Sequence, residues 1–120
     1  MFYGCTSLEN VPSILPATTL AERCYHGMFD SCENIQESPA LPAITLVTDC
    51  YGYMFRGCSN LKHITAMFTT TPGSDYTNNW VQLVPGPDFN LGGTTCVFTK
   101  NRNATWNVSG SNGVPSNWTI

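Results

Sequence analysis

The chain has 120 residues and a mass of 13.1 kDa, which is the size of a single domain. Only 11% of its residues are charged, well below the roughly 25% of average proteins, and the formal net charge is −3. Thr, Asn and Ser together supply 35 of the residues, so hydroxyls and amides provide most of the polar surface. The Lys and Arg residues form no basic cluster, so we expect no nucleic-acid partner. No apolar run approaches the ~20 residues that cross a bilayer, so we expect no membrane insertion.

The spacing of the six cysteines, at positions 5, 24, 32, 50, 58 and 96, indicates an internal repeat. Positions 5, 32 and 58 are separated by 27 and 26 residues, and positions 24 and 50 again by 26. Residues 1–27 and 28–53 align with one gap and share eleven identities over 26 positions. A third copy begins at Met54 and loses the pattern after Met67. Terminal repeats often degenerate in this way.

Within each repeat, apolar residues recur every four positions, and this stripe predicts one amphipathic helix. The stripes are Leu20, Cys24, Met28 and Cys32 in one copy and Leu46, Cys50, Met54 and Cys58 in the next. Thr19 and Glu22 have the spacing of a capping box, in which each side chain satisfies a backbone N–H at the helix start. The first helix is therefore predicted to begin near Leu20.

Short β-like segments follow the predicted helices and predict parallel strands. They cover residues 8–11, 35–38 and 61–64, and prolines at positions 12 and 39 end the first two. After Trp80 the stripe disappears and further β-like runs occur at residues 81–84, 96–100, 105–108 and 118–120. Turn residues between these runs predict an antiparallel hairpin sheet. We expect a repeat solenoid over residues 1–79, closed by a β-rich C-terminal cap over residues 80–120.

One strand and one helix per ~26 residues predict an α+β solenoid with the period of leucine-rich repeats. The pattern MFxGCxxLxxxPxLPAxxLxxxCYxx resembles the BspA-like leucine-rich repeats of bacterial surface proteins, which are common in gut Bacteroidetes and their phages. The resemblance covers about residues 1–67, with Ser31 standing where Gly4 and Gly57 occur in the other copies. It implies an extracellular, cell-surface or virion protein that takes part in adhesion.

The strand side of such a solenoid is the expected binding surface. Its candidate contact residues are Glu9, Asn10, Gln36, Glu37, Lys62 and His63. Trp106 and Trp118 in the predicted cap are further candidates because indole rings stack on sugars, although burial is the commoner fate of such residues. We interpret the chain as a non-enzymatic binding or adhesion module, of a cell surface or a phage receptor-binding protein, for a protein or glycan ligand. The alternative is a structural spacer or an oligomer-forming segment.

No pattern in the sequence predicts catalysis, a cofactor or a metal site. His26 and His63 are the only bases near neutral pH, and no nucleophile motif accompanies them. Zinc sites favour closely paired cysteines, which the sequence lacks, so the cysteines are interpreted as small buried side chains. Cys96, outside the repeat, has two open alternatives, a disulfide with Cys58 or a free thiol.

Met1 falls in the middle of a repeat, at the position of Met28 and Met54. An uncapped first repeat would leave Met1, Phe2 and Cys5 in contact with water. We therefore expect an upstream part of the same chain, or a neighbouring subunit, to cover this end. On this interpretation the chain is the C-terminal module of a longer protein.

Overall fold

Three short strands form one parallel sheet in the order β1-β2-β3. The computed structural model describes residue 14 and residues 19–84, 96–115 and 118–120. The strands are β1 (Glu37–Leu41), β2 (His63–Ala66) and β3 (Val97–Lys100). Glu37 lies beside His63 and His63 beside Val97, so equivalent positions form rows across the sheet. Ile14 bridges β1 and Thr119 bridges β3, both in parallel, which adds one rung at either edge.

The predicted parallel pairing of residues 35–38 with residues 61–64 is confirmed, but each strand begins two residues later than predicted. Pro39 does not end β1 as the sequence suggested, because it lies at a register shift between Glu37 and Ala40. Proline is tolerated at such irregularities, where no ladder N–H is needed. Ser38 Oγ accepts the N–H of Thr65 at 3.0 Å there. The strand predicted at residues 8–11 lies outside the described residues.

The described residues contain no helix, so the predicted α+β leucine-rich-repeat solenoid, with a strand and a helix in each repeat, is wrong. The segments predicted to be helical are runs of consecutive tight turns. We call them ribbon 1 (residues 22–31), ribbon 2 (residues 48–57) and ribbon 3 (residues 74–83). In ribbon 1 the N–H groups of Cys24, His26 and Met28 each donate to the carbonyl three residues earlier. The N–H groups between them leave the ribbon, so the i→i−4 bonds of an α-helix do not form.

A left-handed residue recurs every four positions and prevents each ribbon from coiling into a helix. These residues are Arg23, Gly27 and Ser31 in ribbon 1, Asp49, Tyr53 and Gly57 in ribbon 2, and Asn79 and Leu83 in ribbon 3, with φ between 50° and 74°. A left-handed conformation costs an L-residue about 1–2 kcal/mol, which favours Gly, Asn and Asp. The conformation also explains why Ser31 stands at the position of Gly57. The four-residue turn period, rather than a helix, generates the apolar stripe.

Neighbouring ribbons are joined by backbone hydrogen bonds that all point the same way. Five N–H groups of ribbon 1 donate to carbonyls of ribbon 2, among them Tyr25 to Cys50 at 3.0 Å and Phe29 to Met54 at 2.9 Å. Five N–H groups of ribbon 2 donate in turn to ribbon 3, for example Phe55 to the carbonyl of Trp80 at 2.8 Å. Each ribbon therefore donates toward the next ribbon and accepts from the preceding one.

Ribbon 3 is a structural repeat in a region where the sequence pattern is no longer recognisable. It begins 26 residues after ribbon 2, which itself begins 26 residues after ribbon 1. Trp80 occupies the position of Met54, and Tyr76 that of Cys50. The strand predicted at residues 81–84 is wrong, since residues 81–83 belong to this ribbon.

The predicted antiparallel hairpin cap is also wrong, because β3 pairs in parallel with β2 and continues the sheet. Of the other predicted runs, residues 105–108 form no strand, and residues 118–120 contribute only the bridge of Thr119. A loop closes the N–H side of ribbon 3 instead. The carbonyl of Ser111 accepts the N–H of Val81 at 3.1 Å, and Asn112 Oδ1 accepts the N–H of Asn79 at 2.7 Å.

The hydrophobic core lies between the sheet and the ribbons. The sheet buries Leu41, Ile64 and Phe98, and the ribbons bury Phe29, Phe55 and Trp80. The Trp80 ring lies 5.8–6.1 Å from the rings of Tyr51, Phe55, Phe68 and Phe98. This indole therefore connects the two layers. The described residues form no helix of the length and apolarity that crossing a membrane requires.

Candidate functional site

Four of the predicted binding residues lie together at the start of β1 and β2. The N–H groups of Lys62 and His63 both donate to the carbonyl of Gln36, at 2.8 and 3.2 Å. Glu37 is opposite His63 in the strand register, with 3.6 Å between Oε1 and Nδ1. Gln36, Glu37 and His63 are exposed, and Lys62 is half-buried. The sheet therefore brings these four residues to one surface.

The two tryptophans predicted as binding residues lie in the core. Trp106 is 4% exposed, its Nε1 donates to the carbonyl of Phe68 at 3.1 Å, and its ring stacks on the Phe68 ring with 5.4 Å between centroids. Trp118 is 7% exposed. Neither indole lies on the surface, so the binding surface defined below does not include them. Glu9 and Asn10 lie outside the described residues.

The outward side of the sheet has two rows of polar side chains. Glu37 and His63 form the first row, and Thr65 and Thr99 are register partners in the second. Inward-facing Ile64 and Phe98 alternate with them and are buried, as expected for strands with one solvated face. We call Glu37, His63, Thr65 and Thr99 the sheet face. Its charges are confined to the first row, and its second row offers hydroxyl groups.

A second polar cluster lies on the ribbons, and the sequence analysis missed it. His26 Nε2 lies 3.4 Å from Asp49 Oδ2, and Arg23 Nε lies 3.8 Å from the same oxygen. The His26 ring meets the Tyr53 ring edge-on at 5.4 Å. A Cβ at Gly52 would collide with Asp49 Oδ1 and lie 2.9 Å from His26 Cδ2, so the missing side chain leaves room for the pair. Positions 23 and 49 are equivalent in the repeat, and their opposite charges were the available signal.

The strongest ion pair also joins equivalent positions of neighbouring ribbons. Asp30 is only 4% exposed, and its carboxylate accepts two bonds from Arg56, from Nε at 3.2 Å and from Nη2 at 2.8 Å. Ser31 Oγ donates to Asp30 Oδ1 at 3.1 Å. The Arg56 guanidinium also lies 4.8 Å from the centroid of the Tyr53 ring. A bidentate pair of this geometry fixes the register of ribbons 1 and 2.

The five described cysteines are free thiols, so the disulfide considered between Cys58 and Cys96 is not formed. Cys24 is exposed, and the other four are buried, as the sequence analysis expected of most of them. Burial raises the pKa of Cys50 to about 11 and raises the pKa of Cys58 as well. Since thiolates are the reactive form, these two groups are poor nucleophiles and poor metal ligands at neutral pH.

The geometry of the described residues is suited to surface recognition. Each histidine faces a carboxylate, His26 that of Asp49 and His63 that of Glu37. Within the described ranges, no group of three or more His, Cys, Asp or Glu side chains is placed to hold a metal ion. Comparison of the chain with protein-family models, with curated proteins and with solved structures gave no match in any of the three.

Proposed function

We propose that the chain is a non-enzymatic binding module of a cell surface or virion, and that it recognises a protein ligand through the sheet face. The observation that carries this proposal is the register of the outward side chains, because three neighbouring strands present them on one open surface. Stacked repeats of this kind give extended surfaces rather than deep pockets. The low charge and the abundance of Thr, Asn and Ser are consistent with an extracellular place.

The composition of the sheet face favours a protein over a glycan. Glycan sites commonly use exposed aromatic rings, and the sheet face contains no Trp, Tyr or Phe, while Trp106 and Trp118 are buried. The paired charges of Glu37 and His63 beside the hydroxyls of Thr65 and Thr99 match the mixed polar groups of a protein surface. A flat face of this kind is also suited to an extended partner.

The test uses an array of purified extracellular proteins and a parallel glycan array, both probed with the labelled chain. Glu37→Lys reverses a charge on the sheet face, and Thr65→Lys adds bulk and charge beside it. Glu22→Lys is the matched control, because Glu22 is an equally exposed acid on ribbon 1. All variants are first compared with the unchanged chain in thermal unfolding, so that only folded proteins are scored.

We expect at least one protein spot to bind the unchanged chain and to lose about tenfold or more in affinity with each sheet-face variant. Glu22→Lys should bind as the unchanged chain does. Binding to glycans alone would contradict the protein ligand, and equal losses with Glu22→Lys would contradict the sheet face.

A structural role, as a spacer or oligomer-forming segment, is the second candidate, and the backbone ladder between ribbons favours it. Such a ladder makes each repeat a support for its neighbour. The same array separates the two functions. A folded chain that binds no protein, with sheet-face variants that behave as the unchanged chain in every assay, would favour the structural role.

A further inference from the structure

Ribbon 1 carries a row of backbone carbonyls on the side turned away from ribbon 2. We call this row the carbonyl edge, and it consists of the carbonyls of Glu22, Cys24, His26, Met28 and Asp30. The equivalent carbonyls of ribbon 2, at positions 48, 50, 52, 54 and 56, each accept an N–H from ribbon 1. No described residue donates to the carbonyl edge of ribbon 1. Its first part is open to solvent, since Glu22 and Cys24 are exposed.

The direction of the ladder determines what can bind there. A carbonyl edge pairs only with N–H donors, so two copies of this chain cannot join through two carbonyl edges. A head-to-tail arrangement of two copies would need the N–H side of ribbon 3. That side is already closed, because the N–H groups of Val81 and Asn79 donate to Ser111 and Asn112.

The side chains of ribbon 1 also specify the partner. Tyr25 stacks on Tyr51 with 6.1 Å between ring centroids, and Phe29 stacks on Phe55 at 5.9 Å. Equivalent positions of successive ribbons therefore form columns of aromatic rings. Tyr25 is only half-buried at the end of its column, so a further ring in register would extend the stack.

We propose that the carbonyl edge is a docking site for one further turn ribbon of the same repeat sequence, and not for a second copy of this chain. The docked ribbon supplies N–H groups at alternate residues and a left-handed residue at every fourth position. Its tyrosine adds to the column of Tyr25 and Tyr51. This inference concerns the ribbon side of the molecule and is independent of the ligand proposed for the sheet face.

The experiment adds a copy of residues 46–53 directly before Met1. Residues 1–5 and 28–32 are equivalent segments of the repeat, so this extension completes the sequence of one ribbon. The spacing between ribbons then places the N–H groups of the copied Asp49, Tyr51 and Tyr53 opposite the carbonyls of Glu22, Cys24 and His26. The matched control carries the same eight residues in shuffled order.

Hydrogen exchange and light scattering provide the readouts. We expect the three copied amides to exchange at least about tenfold more slowly than the amides of the shuffled extension, in a monomeric protein with a raised melting temperature. Equally fast exchange in both extensions would overturn the proposal. An unextended chain that dimerises, and becomes monomeric when the native-order extension is added, would assign the carbonyl edge to a second copy and would also overturn it.

Discussion

The ribbon layer and the sheet layer share one 26-residue period but use their backbone groups differently. In the sheet, β2 forms ladders with β1 on one side and β3 on the other. In the ribbons, alternate N–H groups close local turns, and the remaining ones reach the next ribbon. The comparison shows that one repeat length supports two kinds of stacking. The strand period of two residues is a familiar signal, whereas the ribbon period of four is close to the 3.6 residues of a helix.

The two layers also differ in what their side chains do. The ribbons carry cross-repeat contacts between equivalent positions, such as the Asp30–Arg56 pair and the Phe29–Phe55 stack. The outward side of the sheet carries hydroxyls and one exposed ion pair. We therefore expect changes on the ribbons to alter stability and changes on the sheet face to alter binding.

The largest effect is expected where the layers meet, at Trp80. Trp80→Ala removes a buried indole that contacts aromatic rings of both layers, and we expect a loss of about 3–5 kcal/mol in the free energy of unfolding. Urea denaturation measures it. Leu83→Ala, at a side chain that is 73% exposed, is the control and should change the value by less than about 0.5 kcal/mol. Similar losses in the two variants would contradict the position of Trp80 in the core.

The next effect concerns the ion pairs between ribbons. Arg56→Met leaves the buried carboxylate of Asp30 without its bidentate partner, and we expect a loss of about 2–3 kcal/mol. Arg23→Met is the matched control at the exposed pair, where the Arg23 side chain is 62% exposed and 3.8 Å from Asp49. It should cost less than about 1 kcal/mol. Equal costs in urea denaturation would show that the Asp30 pair does not fix the ribbon register.

Alkaline pH should weaken the ribbon layer through ribbon 2. The pKa of Cys50 is raised from 9.0 to about 11 by burial, so its thiol ionises more readily in the unfolded chain. The stabilising contribution is complete below pH 9 and is lost as the pH rises toward 11. We expect the urea midpoint to fall over this range and to fall less in Cys50→Ala. Cys24→Ala, at the exposed thiol, should show the full decrease, and a pH-independent midpoint would contradict the burial of Cys50.

A smaller effect, of opposite sign, is expected at Leu83. Its φ is 64° and its side chain is mostly exposed, so Leu83→Gly relieves strain without removing much buried surface. We expect a gain of about 0.5–1 kcal/mol after the added chain entropy of glycine is subtracted. Differential scanning calorimetry would record a higher melting temperature. A helix at this position would respond with a loss.

The strands could be predicted because their alternation has few competing interpretations, and only their starts were misplaced by Pro39. The ribbons could not, since a four-residue apolar period fits both a helix and a run of turns. The distinguishing signal was the turn-forming residues at that same spacing, such as Gly27 and Ser31 in ribbon 1 and Asp49 and Gly57 in ribbon 2. Recognising them requires the repeat alignment first.

The candidate site shows the same division. Gln36, Glu37, Lys62 and His63 could be predicted because the repeat places them in equivalent rows. The burial of Trp106 could not, since it depends on Phe68, 38 residues away in the chain and outside any recognisable repeat. Long-range packing of this kind leaves no local pattern in the sequence.

The central claim is that the repeat builds turn ribbons rather than helices, and the sign of one stability change tests it. Gly27 has a φ of 62°, and a Cβ added there would meet no heavy atom within 4 Å, so Gly27→Ala changes the backbone preference alone. In a helix, alanine would stabilise the chain by about 0.5–1 kcal/mol relative to glycine. In the ribbon, we expect Gly27→Ala to lower the free energy of unfolding by about 1–2 kcal/mol in urea denaturation. An increase would contradict the ribbon and restore the helix.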